Sequence, residues 1–143
     1  MSLGFGAFVK LVSEDDYTVT YEYGSFNWND DKHRNEEKIR DGIITIAKMC
    51  FIAPDIHQKI KKLPHGKKRT LMKKVIVKVD CDSYLNNGLI SVRNCSNCWE
   101  KIGYTCPNSP LKDLDVMALR MLPSIFEYYQ YHGEIPKSDM IIV

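Results

Sequence analysis

The first pattern of hydrophobic and polar positions predicts a β-hairpin. Apolar residues recur at every second position from 5 to 12, and the alternation from 17 to 23 is the clearest in the chain. A period of two is typical of a strand with one buried face. Three acidic residues at 14–16 separate the two segments and supply a turn. We therefore predict an antiparallel hairpin that ends at Gly24.

Residues 39–50 change to spacings of three and four, which predicts an amphipathic helix. The apolar stripe consists of Ile39, Ile43, Ile46, Ala47 and Cys50. Such spacing places side chains on one face of a helix. Polar side chains at 29–31 offer N-capping groups before this segment, and Pro54 ends it.

The second half of the chain repeats the plan of a hairpin followed by a helix. Residues 71–84 and 89–92 are read as paired strands, because the Asn-Asn-Gly sequence at 86–88 favours a tight turn. An apolar stripe at 114–129 then predicts a helix that Pro123 kinks. Gly133 is expected to end this helix.

The elements together predict one α+β domain over residues 1–143. We expect an antiparallel sheet built from two β-hairpins, with two helices packed on one face, in ββα-ββα order. Residues 139–143 add a C-terminal strand or a docked tail. With 44% hydrophobic and 27% charged residues, the chain can build a core, which excludes wholesale disorder.

The N-terminus and the cysteine content predict a cytoplasmic protein. No apolar stretch approaches the roughly 20 residues of a membrane-spanning helix, and the first twelve residues lack the basic leader of a signal peptide. We therefore expect no membrane association. Five cysteines without a secretion signal indicate a reducing compartment in which thiols persist.

A cluster of cysteines raises the question of zinc. Cys95 and Cys98 form a C-x2-C pair, Cys106 follows, and the predicted hairpin brings Cys81 close to them. Four thiolates suit tetrahedral Zn²⁺. However, a lone C-x2-C pair is a weak signal, and cysteines that stay reduced, some of them packed as small apolar groups, are the favoured interpretation. We expect no cofactor and no metal requirement for folding; if zinc binds, these four cysteines are the predicted ligands.

Positive charge is concentrated in one segment. Nine basic and no acidic residues lie between positions 56 and 79, and the remaining chain carries a formal charge of −7. Such separation attracts an acidic protein or a nucleic acid. No Phe, Tyr or Trp accompanies these charges, which disfavours a single-strand-binding surface. The predicted contacts are Trp28, Lys67, Lys68, Arg69 and Tyr131.

Enzyme signatures do not explain the chain. It contains no Walker A, Rossmann, nucleophile-elbow or HExxH motif. A small α+β chain with a Tyr-rich hairpin resembles the immunity proteins that inhibit toxins, in architecture rather than in any motif. We therefore expect a non-catalytic protein-binding module of the inhibitor or immunity type that binds an acidic protein partner. The alternatives are a nucleic-acid-binding module that uses the 56–79 segment, and a small enzyme or zinc protein.

Overall fold

The computed structural model describes residues 4–102 and 111–142. It is a mixed α+β structure with a largely antiparallel sheet and, within those ranges, two helices, of which one is long. In chain order, the elements are β1 (Phe5–Glu14), β2 (Thr18–Asn27), β3 (Gly42–Ala47), β4 (Asp55–Lys62), β5 (Lys68–Val75), α1 (Cys81–Asn86), β6 (Ile90–Arg93), α2 (Val116–His132) and β7 (Ser138–Ile142). Five strands form one sheet in the order β6-β3-β2-β1-β7, and β4 and β5 form a separate two-stranded sheet.

The first hairpin is confirmed, and its turn has a clear local cause. The Asp15 carboxylate accepts hydrogen bonds from the backbone N–H groups of Tyr17 and Thr18, each at 2.7 Å. This arrangement reverses the chain between β1 and β2, which pair antiparallel along most of their length. The C-terminal strand is also present, because β7 pairs antiparallel with β1 at the sheet edge.

The helix predicted for 39–50 is wrong, because the centre of this segment is strand β3 and only Lys48–Cys50, a single 3-10 turn, is helical. Alternate residues of β3 are buried, and the strand pairs with β2 on one side and β6 on the other. Its sequence contains three isoleucines and a threonine, whose branched β-carbons favour the extended backbone. The predicted pair of helices on one sheet face and the ββα-ββα order therefore do not occur.

The second predicted hairpin is also wrong. Residues 81–86 form the short helix α1, whose N-terminus is capped when the Asp80 carboxylate accepts the Ser83 N–H at 3.1 Å. Gly88, expected in a β-turn, instead follows the end of this helix with φ +78°. The strand after it, β6, pairs with β3 rather than with the 71–84 segment, whose first residues pair with β4.

Helix α2 confirms the helix predicted for 114–129 and supplies most of the helical contribution to the core. Its buried residues pack against the sheet face that carries Tyr21, Tyr23 and Ile44. Pro123 lies inside the helix, and Gly133 ends it in the left-handed conformation with φ 75°. Neither described helix has the length and apolarity needed to cross a bilayer.

A buried polar cluster joins the start of α2 to the sheet. Asp115 is fully buried, and its carboxylate accepts hydrogen bonds from the Met117 N–H at 2.9 Å and the Tyr23 hydroxyl at 3.0 Å. The Tyr23 oxygen in turn accepts the Cys95 N–H at 2.8 Å. The carboxylate therefore caps α2 and satisfies a buried hydroxyl at the same time.

The sheet face opposite α2 carries a row of aromatic rings. Phe8 stacks on Phe26 with ring centroids 6.0 Å apart, and Phe26 stacks on Trp28 at 4.9 Å. The loop between β2 and β3 covers part of this face, and the Arg40 guanidinium lies 5.9 Å from the centre of the Phe8 ring. This face is therefore apolar at its centre and cationic beside it.

Candidate functional site

The basic segment forms a solvent-exposed arm, which we define as residues 55–75. Strands β4 and β5 pair from Asp55 opposite Val75 to Lys62 opposite Lys68. Every strand residue of the arm is exposed except Leu71 and Val75, which are half-buried. A two-stranded hairpin without a covering layer is marginally stable in water. The arm is thus a surface element rather than part of the core.

The tip of the arm is a short turn that concentrates positive charge. The Leu63 N–H donates to the Lys67 carbonyl at 2.7 Å, and Gly66 adopts φ +79°, which glycine accepts without strain. The turn places Lys67 next to Lys68 and Arg69, the first residues of β5. All three of these predicted contact residues therefore lie at the tip of the arm, with Lys68 and Arg69 on opposite faces of its two strands.

Like charges face each other across the arm. Lys61 lies opposite Arg69, and Lys62 lies opposite Lys68. Cross-strand pairs of like charge destabilise a hairpin. Among the described residues, no carboxylate forms an ion pair with a cation of the arm. An acidic binding partner would reduce this repulsion, so the binding of such a partner is electrostatically favourable.

One face of the arm carries exposed apolar side chains that the sequence analysis missed. Ile56, Ile60 and Met72 are 59%, 67% and 63% exposed, and the strand register places them diagonally along one face. Lys62, Lys68 and Lys74 lie on the same face. Ile56, Gln58 and Ile60 occupy every second position, and the two isoleucines among them were the sequence signal for an apolar strand face. Only the charge of the surrounding lysines was considered in the sequence analysis.

The two aromatic residues predicted as contacts lie in different places. Tyr131 is 60% exposed at the end of α2, where its backbone carbonyl accepts a hydrogen bond from Lys74 Nζ at 3.4 Å. It therefore adjoins the base of the arm. Trp28 is 46% exposed and stacks on Phe26 on the sheet face opposite α2. The structure places Trp28 in that aromatic row and not in the arm.

The base of the arm is fastened to α2 by a buried glutamine. The Gln130 side chain accepts the Val77 N–H at 2.7 Å and donates to the Val77 carbonyl at 2.8 Å. This pair of hydrogen bonds imitates one step of a β-ladder and holds the chain as it leaves β5. These two hydrogen bonds fix the direction in which the arm leaves the rest of the protein, although the strands of the arm are exposed to solvent.

The four cysteines proposed as zinc ligands are not gathered in the described part of the structure. Cys81 begins α1 and interacts electrostatically with Cys50, whereas Cys95 and Cys98 both adjoin Asp115. Cys106 lies outside the described residues. Within residues 4–102 and 111–142, no group of three or more His, Cys, Asp or Glu side chains has metal-binding geometry. The expected approach of Cys81 to Cys95 fails because α1 replaces the predicted hairpin.

The environment of the thiols favours their protonated form. Burial raises the pKa of Cys81 to about 11 and that of Cys98 to about 11, and it also raises the pKa of Cys95. A thiolate is the form that binds metal and attacks electrophiles. These cysteines therefore behave as small apolar groups near neutral pH.

We predict that chelation leaves the fold unchanged. EDTA should shift the thermal midpoint by less than about 1 °C, because the described core is assembled from apolar side chains and its thiols are protonated. Differential scanning calorimetry and elemental analysis check this expectation. One zinc per chain together with unfolding in EDTA would contradict it and would make the four cysteines the ligands to test.

Comparison of the chain with protein-family models, with curated proteins and with solved structures gave no match.

Proposed function

We propose that this chain is a non-catalytic protein-binding module of the inhibitor or immunity type, and that its basic arm docks onto an acidic partner protein. The observation that carries the proposal is the arm itself. It is a two-stranded hairpin that exposes an apolar stripe and a dense set of cations on the same face. Contiguous exposed apolar groups rimmed by polar residues are typical of protein interaction sites.

The energetics of the free arm favour a bound state. Ile56, Ile60 and Met72 leave most of their surface in water, and covering them would be favourable by about 25 cal/mol for each Å² of apolar area. The cross-strand pairs of like charge add repulsion that opposing carboxylates would remove. A complementary partner therefore offers an apolar strip flanked by Asp and Glu side chains.

The composition of the arm favours a protein over a nucleic acid. Arg69 is its only arginine, whereas seven of its residues are lysines. Base edges and phosphates are read most effectively by the bidentate fork of arginine. A phosphate backbone would also leave the apolar stripe exposed to water. Both features are better matched by a partner with carboxylates and apolar side chains.

Pairing between the arms of two copies is disfavoured by the same charges. Each arm has open strand edges, which are able to accept another strand. The arm contains eight basic residues and one acidic residue, so two arms repel each other strongly. Lysines at strand edges commonly protect against such self-association. The positive charge of the arm therefore disfavours pairing with a second copy and favours binding of an acidic protein.

The test begins with covalent capture from the native host. A photo-reactive amino acid at Met72 should cross-link one acidic protein, and the same group at Thr20, on the sheet face opposite α2, should not. The captured partner is then produced in pure form. Its binding kinetics decide the proposal, since capture alone proves only proximity.

We predict that charge reversal at the tip of the arm slows association with that partner. Lys67→Glu, Lys68→Glu and Arg69→Glu together should lower the association rate constant at least about tenfold at physiological salt, because the tip steers the encounter electrostatically. Stopped-flow fluorescence measures the rate. The thermal midpoint should not fall, since these residues are exposed and the substitutions at 68 and 69 replace repulsion of Lys62 and Lys61 by attraction across the strands.

A matched control separates local steering from net charge. The triple variant Lys32→Glu, Arg93→Glu and Arg120→Glu makes the same change in charge at exposed positions outside the arm. Its association rate should fall much less. An equal fall in both variants would contradict docking at the arm. Submicromolar, sequence-selective binding of DNA or RNA, lost in the arm variant, would instead establish the nucleic-acid alternative, since non-specific affinities are about 10⁻⁴–10⁻⁶ M.

A further inference from the structure

A second surface, distant from the arm in sequence, combines cations with an apolar floor. A pocket of about 580 Å³ opens on the side of the sheet where β1 and β7 pair, against the loop before β3. Phe8 and Met140 supply apolar lining, and Met140 is 49% exposed. Pockets of about 300–1,000 Å³ are the usual size for small-molecule ligands.

Four basic side chains from three segments of the chain line this pocket. They are Lys10, Lys38, Arg40 and Lys137. None of them forms an ion pair with a described carboxylate. The Glu22 carboxylate faces Lys10 across the β1–β2 pair but is not within ion-pair distance. The pocket thus collects positive charge that the described protein does not neutralise.

The Arg40 side chain has an unsatisfied donor. Its Nε atom is buried and has no hydrogen-bond partner among the described residues, while its guanidinium lies 5.9 Å from the centre of the Phe8 ring. A buried charged donor without an acceptor is unfavourable, which marks Arg40 as a side chain whose hydrogen bonds are incomplete. Because Nε itself is closed to solvent, an anionic ligand in the pocket would contact the rest of the guanidinium group.

The one acidic residue of the pocket lining is already engaged. Asp139 accepts the Ser124 hydroxyl at 2.6 Å and the Met140 N–H at 2.8 Å. Its strand partner is Val9, whose side chain belongs to the core face of the sheet. The carboxylate therefore fastens β7 to α2, and its charge leaves the pocket lining, with its four cations, at a net formal charge of +3.

The loop that carries Arg40 is held in place by Asn35. The Asn35 amide donates to the Ser25 and Ile39 carbonyls, each at 3.1 Å, and its carbonyl accepts the Ile39 N–H at 2.8 Å. Asn35 and Lys38 both have positive φ, of 52° and 54°. For a lysine this conformation is strained, because its Cβ crowds the following carbonyl oxygen. Strained backbone of this kind occurs preferentially at ligand sites.

We propose that this pocket binds a nucleoside polyphosphate, with phosphates on the four cations and the planar base against the apolar lining that Phe8 and Met140 supply. A charge of three or more on the ligand matches the net formal charge of +3 that four cations and Asp139 give the lining, and arginine with lysine is the usual combination for phosphate recognition. The apolar lining and the volume exceed what inorganic phosphate requires. This inference is independent of the proposed role of the arm.

Isothermal titration calorimetry with ATP in about 150 mM salt, without magnesium, tests the proposal. ATP should bind with micromolar affinity, sodium triphosphate at least about tenfold more weakly, and adenosine undetectably. Arg40→Gln should weaken ATP binding about 10–100-fold, the range expected for loss of a charged hydrogen bond. Lys137→Gln, a change at a side chain without a described partner, should weaken binding with no change in the thermal midpoint.

Two controls make the test specific to this pocket. Arg93→Gln removes an exposed arginine from the same sheet face but outside the pocket, so ATP affinity should change less than twofold. The arm variant with glutamates at 67–69 should bind ATP like the unmodified protein. No measurable ATP binding, or equal losses in the Arg40 and Arg93 variants, would overturn the site. Triphosphate that binds as tightly as ATP would overturn its assignment to nucleotides.

Discussion

Asp115→Ala should lower the free energy of unfolding by about 3 kcal/mol. The substitution removes the N-cap of α2, which contributes about 1 kcal/mol. It also leaves the buried Tyr23 hydroxyl without its acceptor, at a cost of about 1–3 kcal/mol. Urea unfolding followed by circular dichroism measures the change. For a domain of this size, the thermal midpoint should fall by about 10 °C.

Asp16→Ala is the matched control for this prediction. Asp16 is exposed in the turn between β1 and β2, so its removal should change stability by less than about 0.5 kcal/mol. If the free energy of unfolding falls by less than about 1 kcal/mol in Asp115→Ala, the prediction is contradicted. The buried polar cluster would then not depend on this carboxylate, for example because a water molecule replaces it beside Tyr23.

The stability difference between the unmodified protein and Asp115→Ala should depend on pH. Burial is the main cause that raises the pKa of Asp115 above its usual value, so the folded state binds its proton more tightly than the unfolded state does. The favourable contribution of Asp115 is therefore complete below the unfolded pKa of about 4 and shrinks as pH rises towards the folded pKa. The difference should be larger at pH 4 than at pH 8. All other titrating groups are present in both proteins, so their contributions to the pH dependence of this difference largely cancel.

The parts of the fold that sequence predicted correctly are those fixed by local interactions. The turn at Asp15 needs only its own carboxylate and two nearby N–H groups. Helix α2 has a long apolar stripe and a glycine that terminates it. Each signal lies within a few residues of the structure it determines, so no knowledge of distant partners is required.

Strand β3 was misread because two periodicities coincide in it. Ile43 and Ile46 fit a helical stripe, whereas Ile44 and Ile46 fit the alternation of a strand. The β-branched side chains favour the strand by a modest amount, and pairing with both β2 and β6 decides the outcome. The partner β6 lies more than forty residues away, so its contribution is invisible in the local pattern.

The Asn-Asn-Gly sequence shows how one backbone requirement serves two structures. A tight β-turn and a helix C-terminus both place glycine at positive φ, and Gly88 has φ +78°. A reversal of the chain at residues 86–88 was predicted from the sequence, but it was assigned to a β-hairpin instead of a helix C-terminus. The Asp80 cap, which distinguishes α1 from a strand, lies within residues 71–84, which were predicted to be a strand.

The two candidate sites differ in how much of them a sequence can reveal. The arm is continuous, so its charge was evident, and only its apolar face was missed. The pocket beside Phe8 draws Lys10, Arg40 and Lys137 from separate segments of the chain. No spacing rule connects such positions. Tertiary structure alone brings these residues together, because the pairing of β1 with β7 and the fastening of the loop at Asn35 both depend on the complete fold.

Gly24→Ala should disrupt the support of that pocket and destabilise the protein by about 3 kcal/mol. A methyl group at Gly24 would overlap the backbone carbonyl of Ile39 and approach the Phe8 ring to 3.0 Å. Overpacking of this kind typically costs about 1–3 kcal/mol, and here the obstacle is a backbone atom that cannot change rotamer. The loop carrying Arg40 must therefore move away from β2. Urea unfolding measures the loss of stability.

Gly88→Ala provides the comparison, because a methyl group there meets no atom within 4 Å and only the positive φ is penalised. It should cost about 1 kcal/mol. Amide hydrogen exchange separates the two effects: Gly24→Ala should accelerate exchange at Ile39, whose N–H donates to the Asn35 side chain, and Gly88→Ala should not. Similar stability losses in the two variants would contradict tight packing of the loop on β2. Unchanged exchange at Ile39 in a destabilised Gly24→Ala protein would mean that β2 moves instead of the loop, since the methyl group must separate from the Ile39 carbonyl in either case.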